Sequence, residues 1–362
     1  MAHSFNKLWA AMAVSLITAA SVVSADSVQG SDSGWYNGPF NGNVGGAYAQ
    51  PVSDCCGSFS VSAEALFWRA REDGLAFART IENSSGGGTT SLTAIEIENP
   101  HFNWDTGVRI GLVYAFTADN WDLAAYWTHL QTTAKGHVRS FGDTGTLASI
   151  WSGSDFDLGD SLSFVESKWR LKLDYADFEI GREFCVCSSV TFRPFVGVRA
   201  AWIKQKYRVF GETEVSEGFR NIDNIDLFTK FDGAGLRGGF GSQWNWGCGL
   251  SVYGSAAASI LYGEVHSHTT ESNRVFEGST AVFDQGRQRD NRHGTRYTAD
   301  AALGVRWQHC LCDNYLVTLQ LGWEQHIFFD QNRFEILGSR HPQVQRGDLS
   351  VQGITFGAKL DF

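Results

Sequence analysis

Residues 351–362 read Val-Gln-Gly-Ile-Thr-Phe-Gly-Ala-Lys-Leu-Asp-Phe. Ile354, Phe356, Ala358, Leu360 and Phe362 are apolar, and Gly353, Thr355, Gly357, Lys359 and Asp361 alternate against them. Period two means a strand with one apolar and one polar face. It runs to an aromatic at the final residue. Two architectures accept such a strand: an ordinary sandwich, or a closed barrel whose last strand seals against its first. The rest of the chain decides between them.

The same alternation recurs upstream. Over 58–70, Phe59, Val61, Ala63, Ala65 and Phe67 face Ser60, Ser62 and Glu64. From 102 on, Trp104, Val108, Ile110, Leu112 and Tyr114 oppose Asp105, Gly107, Arg109 and Gly111. A third strand, 121–133, carries Trp121, Leu123, Ala125 and Trp127. Over 163–180, Trp169, Leu171, Leu173 and Tyr175 oppose Arg170, Lys172 and Asp174. The next apolar pair, Phe178 and Ile180, is out of phase, which implies a bulge near Ala176 and Asp177. Strand 190–208 sets Val196, Val198 and Trp202 against Arg193 and Arg199, with Pro194 marking an irregularity. Further strands read at 231–243, 248–264, 296–309 and 315–329.

The connections sort by length. Those at 117–120, 181–189, 244–247 and 310–314 are short; those at 71–101, 134–162, 209–230, 265–295 and 330–350 are long and polar. Ten strands joined by alternating short and long connections fit a transmembrane antiparallel β-barrel with short periplasmic turns and long external loops. Thr89–Glu98 has room for another strand, so twelve stays open. Only helices or closed barrels span hydrocarbon. Trp104, Tyr114, Trp121, Tyr175, Trp202, Trp307, Tyr315 and Trp323 lie near strand ends, as belts at the two membrane interfaces would.

Composition agrees. The chain has 40 Gly, 13 Trp, 10 Tyr and 26 Phe but 5 Pro, and its mean hydropathy is slightly negative although 43% of residues are hydrophobic. That mixture suits strands apolar on one face. The net charge of -10 and the absence of a basic stripe argue against nucleic acid as a partner. Residues 1–25 read as a cleaved export signal, with Lys7, an apolar run from Leu8 to Val23 and a small-residue site at Val23-Ser24-Ala25. Residues 26–57 read as a Gly/Ser/Asn-rich periplasmic leader, and 58–362 as the barrel, with Phe362 as an assembly signal.

Three stretches carry a resemblance. They are Leu173-Asp174-Tyr175-Ala176-Asp177-Phe178-Glu179-Ile180-Gly181-Arg182, then Thr191-Phe192-Arg193-Pro194-Phe195-Val196-Gly197-Val198-Arg199-Ala200-Ala201-Trp202-Ile203, and Trp104-Asp105-Thr106-Gly107-Val108-Arg109-Ile110-Gly111. With the terminal Phe362 they resemble the porin-like major outer membrane protein family of Legionella and of environmental relatives of the chlamydiae. The resemblance spans nearly the whole mature chain. It implies a cell-outer-membrane location, surroundings of membrane lipid and lipopolysaccharide, and insertion by barrel-assembly machinery. It also implies abundance at the cell surface, with homo-oligomeric or disulfide-linked neighbours and a host ligand as possible partners. General porins use sixteen strands; ten imply a narrower lumen.

The polar face offers candidate pore-lining residues: Glu64, Asp105, Arg109, Asp122, Arg170, Lys172, Asp174, Arg193, Arg199, Arg237, Arg306, Glu324 and Lys359. Charges inside a barrel are paired or wet. They therefore imply either a narrow channel for passive diffusion of small hydrophilic solutes, or a sealed ionic core in a non-conducting structural barrel or adhesin. The first reading leads here. Cys55, Cys56, Cys185, Cys187, Cys248, Cys310 and Cys312 all fall in the leader or at short turns. Disulfides, with a structural role through cross-linking, are the leading expectation in an oxidising compartment. A zinc site and isolated thiols are the alternatives, and the odd count leaves one thiol over. No cofactor is implied. No catalytic motif occurs, and Asp155, Asp157, His266, His268 and His293 read as solvated loop residues, so no enzyme is expected.

Overall fold

The computed structural model describes residues 59–86, 89–116, 120–140, 145–151, 162–216, 219–277, 280–311, 315–336 and 343–362. The signal and leader expected at 1–57 lie outside them, as do Cys55, Cys56, Cys312, Asp155 and Asp157. Ten long strands form the wall: β1 (Phe59–Glu72), β4 (Trp104–Ala115), β5 (Trp121–Arg139), β7 (Phe164–Arg182), β9 (Val190–Ser216), β10 (Phe219–Gly247), β11 (Leu250–Glu277), β12 (Thr280–Leu311), β13 (Tyr315–Ile336) and β14 (Gln343–Asp361). Each pairs antiparallel with the next, and β14 closes the ring on β1 from Ser60↔Asp361 to Glu72↔Leu349. The terminal strand is thus a barrel strand. Phe362 completes the seam: its amide donates to the Phe59 carbonyl at 2.9 Å, and its ring meets that of Phe59 edge-on at 5.3 Å.

Four shorter strands complete the described set. β8 (Phe184–Cys187) pairs with β9 at one rim. β2 (Ala78–Gly86), β3 (Thr89–Glu98) and β6 (Gly145–Ser149) make a separate three-stranded sheet. Thr89–Glu98 is therefore a strand, but not one of the barrel. Much of what reads as long polar loop is strand too. β9 with β10, and β11 with β12, stay in register almost to their connections. At the opposite rim the β10–β11 turn is tight. Gly247, Cys248 and Gly249 all have positive φ, and a Cβ on Gly249 would stand 2.1 Å from the Gln308 carbonyl oxygen.

The expected bulge at Ala176 and Asp177 is absent: β7 keeps one register against β5 from Arg139↔Phe164 to Trp121↔Arg182 and an equally unbroken one against β9. What changes is the polarity of each face. From Ala176 to Arg182 the outward side chains include Phe178 and Ile180 and the inward ones Asp177 and Glu179. Before that, Lys168, Arg170 and Lys172 point out, and Trp169, Leu171, Leu173 and Tyr175 point in and are buried. Pro194 keeps its register with Phe240. The irregularity lies on its other neighbour, where the β7 ladder stops at Gly181↔Phe195 and β8 begins at Phe184↔Phe192.

The apolar outer band follows from this. Val61, Phe67, Ile110, Leu112, Phe178, Val196, Val198, Leu236, Ile260, Leu303, Leu321 and Phe356 are all exposed. In water such a surface would be prohibitive; in hydrocarbon it is the solvent-matched face. Tyr114, Trp121, Trp244, Trp307 and Tyr315 flank it at the short-turn end, and Trp104, Trp127, Trp202, Tyr262 and Tyr297 at the other. Tyr175 does not belong to either belt, being buried inside. Beyond the second belt the outer face turns polar and the interior becomes an apolar core. Leu66, Trp68, Trp169, Leu171, Leu173, Ile203, Tyr207, Phe231, Leu261, Val265, Phe328 and Val351 form it, continuous with Leu75, Phe77, Leu147 and Trp151 from the three-stranded sheet and its flanks. Burial of each large side chain there contributes about 1.5–3 kcal/mol. The Trp151 indole donates to the Ala76 carbonyl at 2.6 Å and the Tyr207 hydroxyl to the Leu75 carbonyl at 2.7 Å, so the cap is anchored as well as packed.

Candidate functional site: the lumen

Within the lipid band the inward residues form one charged network. Arg109 on β4 holds Glu64 of β1 at 2.7 Å and Glu324 of β13 at 2.8 Å, and donates to the Tyr175 hydroxyl at 3.3 Å. His326 lies between Glu324 at 3.0 Å and Asp300 of β12 at 2.7 Å. Asp300 accepts from Arg199 of β9 at 2.9 Å and also from Arg237 of β10. Arg199 is bidentate on Asp177 at 2.6 and 2.8 Å. Arg237 reaches Glu179 at 2.9 Å, and Arg193 reaches Glu179 at 3.6 Å and Asp122 at 2.7 Å. Period-two geometry puts these groups on the inner face, and antiparallel register sets partners on neighbouring strands opposite each other, as with Glu64↔Arg109, Asp177↔Arg199 and Asp300↔His326. Arg199, whose side chain is 1% exposed, is charged, buried and fully paired, the condition under which an interior ion is tolerated.

The network crosses the lumen. Around the ring β7 and β13 are five positions apart, so they face each other across the barrel. Yet the Tyr175 and His326 rings are 6.1 Å apart, and those of Tyr175 and Phe328 6.4 Å. Arg199 lies over the Tyr175 ring at 4.7 Å and Arg109 over Trp68 at 5.4 Å. Toward the short-turn rim the lumen is lined by longer polar groups. Arg306 donates to Gln243 at 2.7 Å and Gln320 at 3.2 Å, and Lys359 pairs with Asp361 at 2.6 Å.

Ten of the thirteen candidate lining residues thus face inward: Glu64, Asp105, Arg109, Asp122, Arg193, Arg199, Arg237, Arg306, Glu324 and Lys359. Arg170, Lys172 and Asp174 are corrections. They point outward above the lipid band, because β7 does not slip phase. The inward acids Asp177, Glu179 and Asp300 and the imidazole of His326 stand outside the thirteen candidates. Extending the alternation through Ala176, and two residues on from Glu324, is the signal that finds them. The thirteen candidates hold eight cations against five carboxylates, and with those changes the excess of cations disappears.

The family model described as the Legionella pneumophila major outer membrane protein precursor matches residues 52–362. The chain belongs to that family. It is a transmembrane, porin-like β-barrel of the bacterial outer membrane, set among membrane lipid and lipopolysaccharide and inserted by barrel-assembly machinery. No curated protein sequence matches it. Among solved structures, the family member is similar to the outer membrane protease OmpT of Escherichia coli at 9% identity, covering 84% of this chain and 96% of that one with a TM-score of 0.34. It is similar to a major outer membrane protein of Thermus thermophilus at 12% identity, covering 84% and 98%, TM-score 0.33. A third likeness is to the Pseudomonas putida toluene transporter TodX at 10% identity, covering 84% and 89%, TM-score 0.23. Likenesses this distant say nothing of activity.

The expected porin with a cross-linking role is corrected for this member of the family. Cys185, Cys187 and Cys248 are free, exposed thiols. Cys185 and Cys187 share the short edge strand β8, while Cys248 occupies a tight turn of another hairpin, so neither element is pinned to the other. Cys310 is disulfide-bonded; Cys55, Cys56 and Cys312 lie outside the described residues. Among the described residues no group of three His, Cys, Asp or Glu side chains is placed to hold a metal ion.

Proposed function

We propose that this barrel is a closed, structural component of the outer membrane that carries its extended β-sheet above the surface. One observation supports this most directly: Tyr175 and His326 come from opposite walls and stand 6.1 Å apart, so side chains bridge the lumen at that depth. The apolar core above it forms a second barrier. Ten strands enclose little more than side chains need, and here bidentate ion pairs and aromatic rings fill the space. The proposal includes no catalytic step, since the His326 imidazole is held by two carboxylates on both ring nitrogens. Neighbouring copies or a host ligand would meet the part of the barrel beyond the second belt.

The test is electrical. Purified, refolded protein in a planar bilayer is expected to give no conductance steps, and sugar-loaded vesicles containing it should not swell. Ohmic steps from the unmodified protein would overturn the proposal. Arg109→Ala should open a leak that the parent lacks, because it removes the group joining β1, β4 and β13.

A further inference from the structure

The outer face just past the second aromatic belt is basic, although the chain as a whole carries a net charge of -10. On β7 and β9 three successive outward positions place cation directly opposite cation: Lys172↔Lys204, Arg170↔Lys206 and Lys168↔Arg208. The rows continue onto both flanking strands, with Lys135 of β5 opposite Lys168 and Lys230 of β10 opposite Lys204. Like charges directly opposite each other destabilise a sheet, so three consecutive pairs are a standing cost to the fold. Acidic relief is partial. Asp174 is 3.7 Å from Lys172, Asp226 is 2.6 Å from Arg208, and Asp232 pairs with Lys230. Lys168, Arg170, Lys204 and Lys206 have no acidic side chain in ion-pair range among the described residues. The Lys168 ammonium is accordingly held below its ordinary range, first by Arg170, then by desolvation, Lys135 and Arg208.

Position identifies the counter-charge. The row holding Lys172, Lys204 and Lys230 lies one side-chain step beyond the row holding Trp202, and Trp202 marks the edge of the lipid band. A recess of about 370 Å³ opens there, lined by Trp127, Trp202, Lys204 and Lys230 with Asp174 and Asp232. An amphiphile with its chains against the band and its head at this recess would meet the indole faces first, flanked by Asp174 and Asp232, each already tied to a lysine, and the ammonium groups immediately above. We infer that this patch on β5, β7, β9 and β10 binds the phosphorylated headgroup of lipopolysaccharide in the outer leaflet, the phosphates relieving the repulsion among the paired cations. The inference concerns the outer wall and does not depend on whether the lumen conducts.

Binding of bisphosphorylated lipid A to the refolded full chain in detergent, followed by calorimetry or native mass spectrometry, tests it. Each lysine or arginine near an anionic surface is worth about 1 kcal/mol, so the triple variant Arg170→Glu, Lys204→Glu, Lys206→Glu should weaken binding on the order of a hundredfold. Should that variant fail to fold by heat-modifiable mobility, the milder pair Lys204→Gln, Lys206→Gln should still weaken binding by about tenfold or more. Arg287→Glu with Arg289→Glu, exposed on β12 away from the patch, should change nothing. Dephosphorylated lipid A should bind the parent as weakly as phosphorylated lipid A binds the triple variant. The inference fails if the patch variants bind lipid A like the parent. It also fails if inorganic phosphate competes on equal terms, which would make the patch a free-oxyanion site. Loss of heparin binding with lipid A binding unchanged would equally overturn it, in favour of a sulfated polysaccharide.

Discussion

The two ends of β9 face opposite worlds. Toward its start Val196 and Val198 point outward and Arg199 inward; further along Lys204 and Lys206 point outward and Ile203 and Tyr207 inward. The backbone alternation never breaks between them. A strand therefore does not own a polar and an apolar face; the medium on each side assigns them. In hydrocarbon there is no hydrophobic gain from filling the lumen with apolar groups that lipid would solvate as well. The interior there is instead bonded by charge, with Arg199 and Arg237 between Asp177, Glu179 and Asp300. Above the lipid, water returns outside, and the hydrophobic effect packs Trp169, Tyr207 and Phe328 into an ordinary core.

The strongest way to break this comparison is to damage each interior in its own terms. Arg199→Ala should destabilise by about 3–5 kcal/mol, since it strips buried Asp177 of its bidentate partner and takes one of its two arginines from buried Asp300. Trp169→Ala should cost a similar ~3–5 kcal/mol through the cavity it leaves. The two should part company on repair. Adding Asp177→Asn to Arg199→Ala should recover part of the loss, while no polar substitution should rescue Trp169→Ala. Urea unfolding in lipid vesicles measures both. A Trp169→Ala variant as stable as the parent would mean that the upper half is not a packed core.

The outer faces give the next largest difference. Val196→Arg puts a charge into the lipid band and should cost ~2–4 kcal/mol near mid-membrane. Lys206→Val, the reverse exchange on the same strand and the same side, should stay within about 0.5 kcal/mol. Assembly yield in vesicles reports both. Equal tolerance at 196 and 206 would place the lipid boundary elsewhere.

The sequence reveals the barrel because period two is a backbone property: ten strands, the β14 closure and the aromatic belts are all legible from it. What it conceals is where along each strand the medium changes. At Ala176 the apolar set moves from the inner to the outer face, and alternation read with a fixed polarity turns that change into a bulge. The same assumption puts Arg170 and Lys172 in the lumen and leaves Asp177 and Glu179 out of it. Asp300 and His326 were hidden differently. Each is one more polar residue on the alternating face of its strand, and only the closed ring brings Asp300 to Arg199 and His326 across to Tyr175. The free thiols at Cys185, Cys187 and Cys248 show a further limit, because a shared rim does not supply the approach of side chains that a bond requires.

The smallest effect separates the halves by pH. Glu72 ends β1 beyond Phe67 and Arg69, above the lipid band, and is buried in the upper core. One carboxyl oxygen accepts from the Gln205 amide at 3.1 Å, and the other has no hydrogen-bond partner. Burial drives its pKa well above the ordinary range, against the Gln205 hydrogen bond and with the help of Asp73 and Asp348. A raised carboxylate pKa means that the folded state keeps a proton the unfolded state releases, so stability falls as pH rises from the ordinary value toward the folded one. Glutamine has the shape without the titration. Below about pH 4, where both states of the parent hold the proton, Glu72→Gln should unfold at the same denaturant concentration as the parent. As the pH rises to neutrality the variant should become the more stable of the two, by less than the core substitutions change. Parallel pH profiles would mean that water reaches Glu72, and a wet carboxylate at that depth would make the upper half a second vestibule rather than a core.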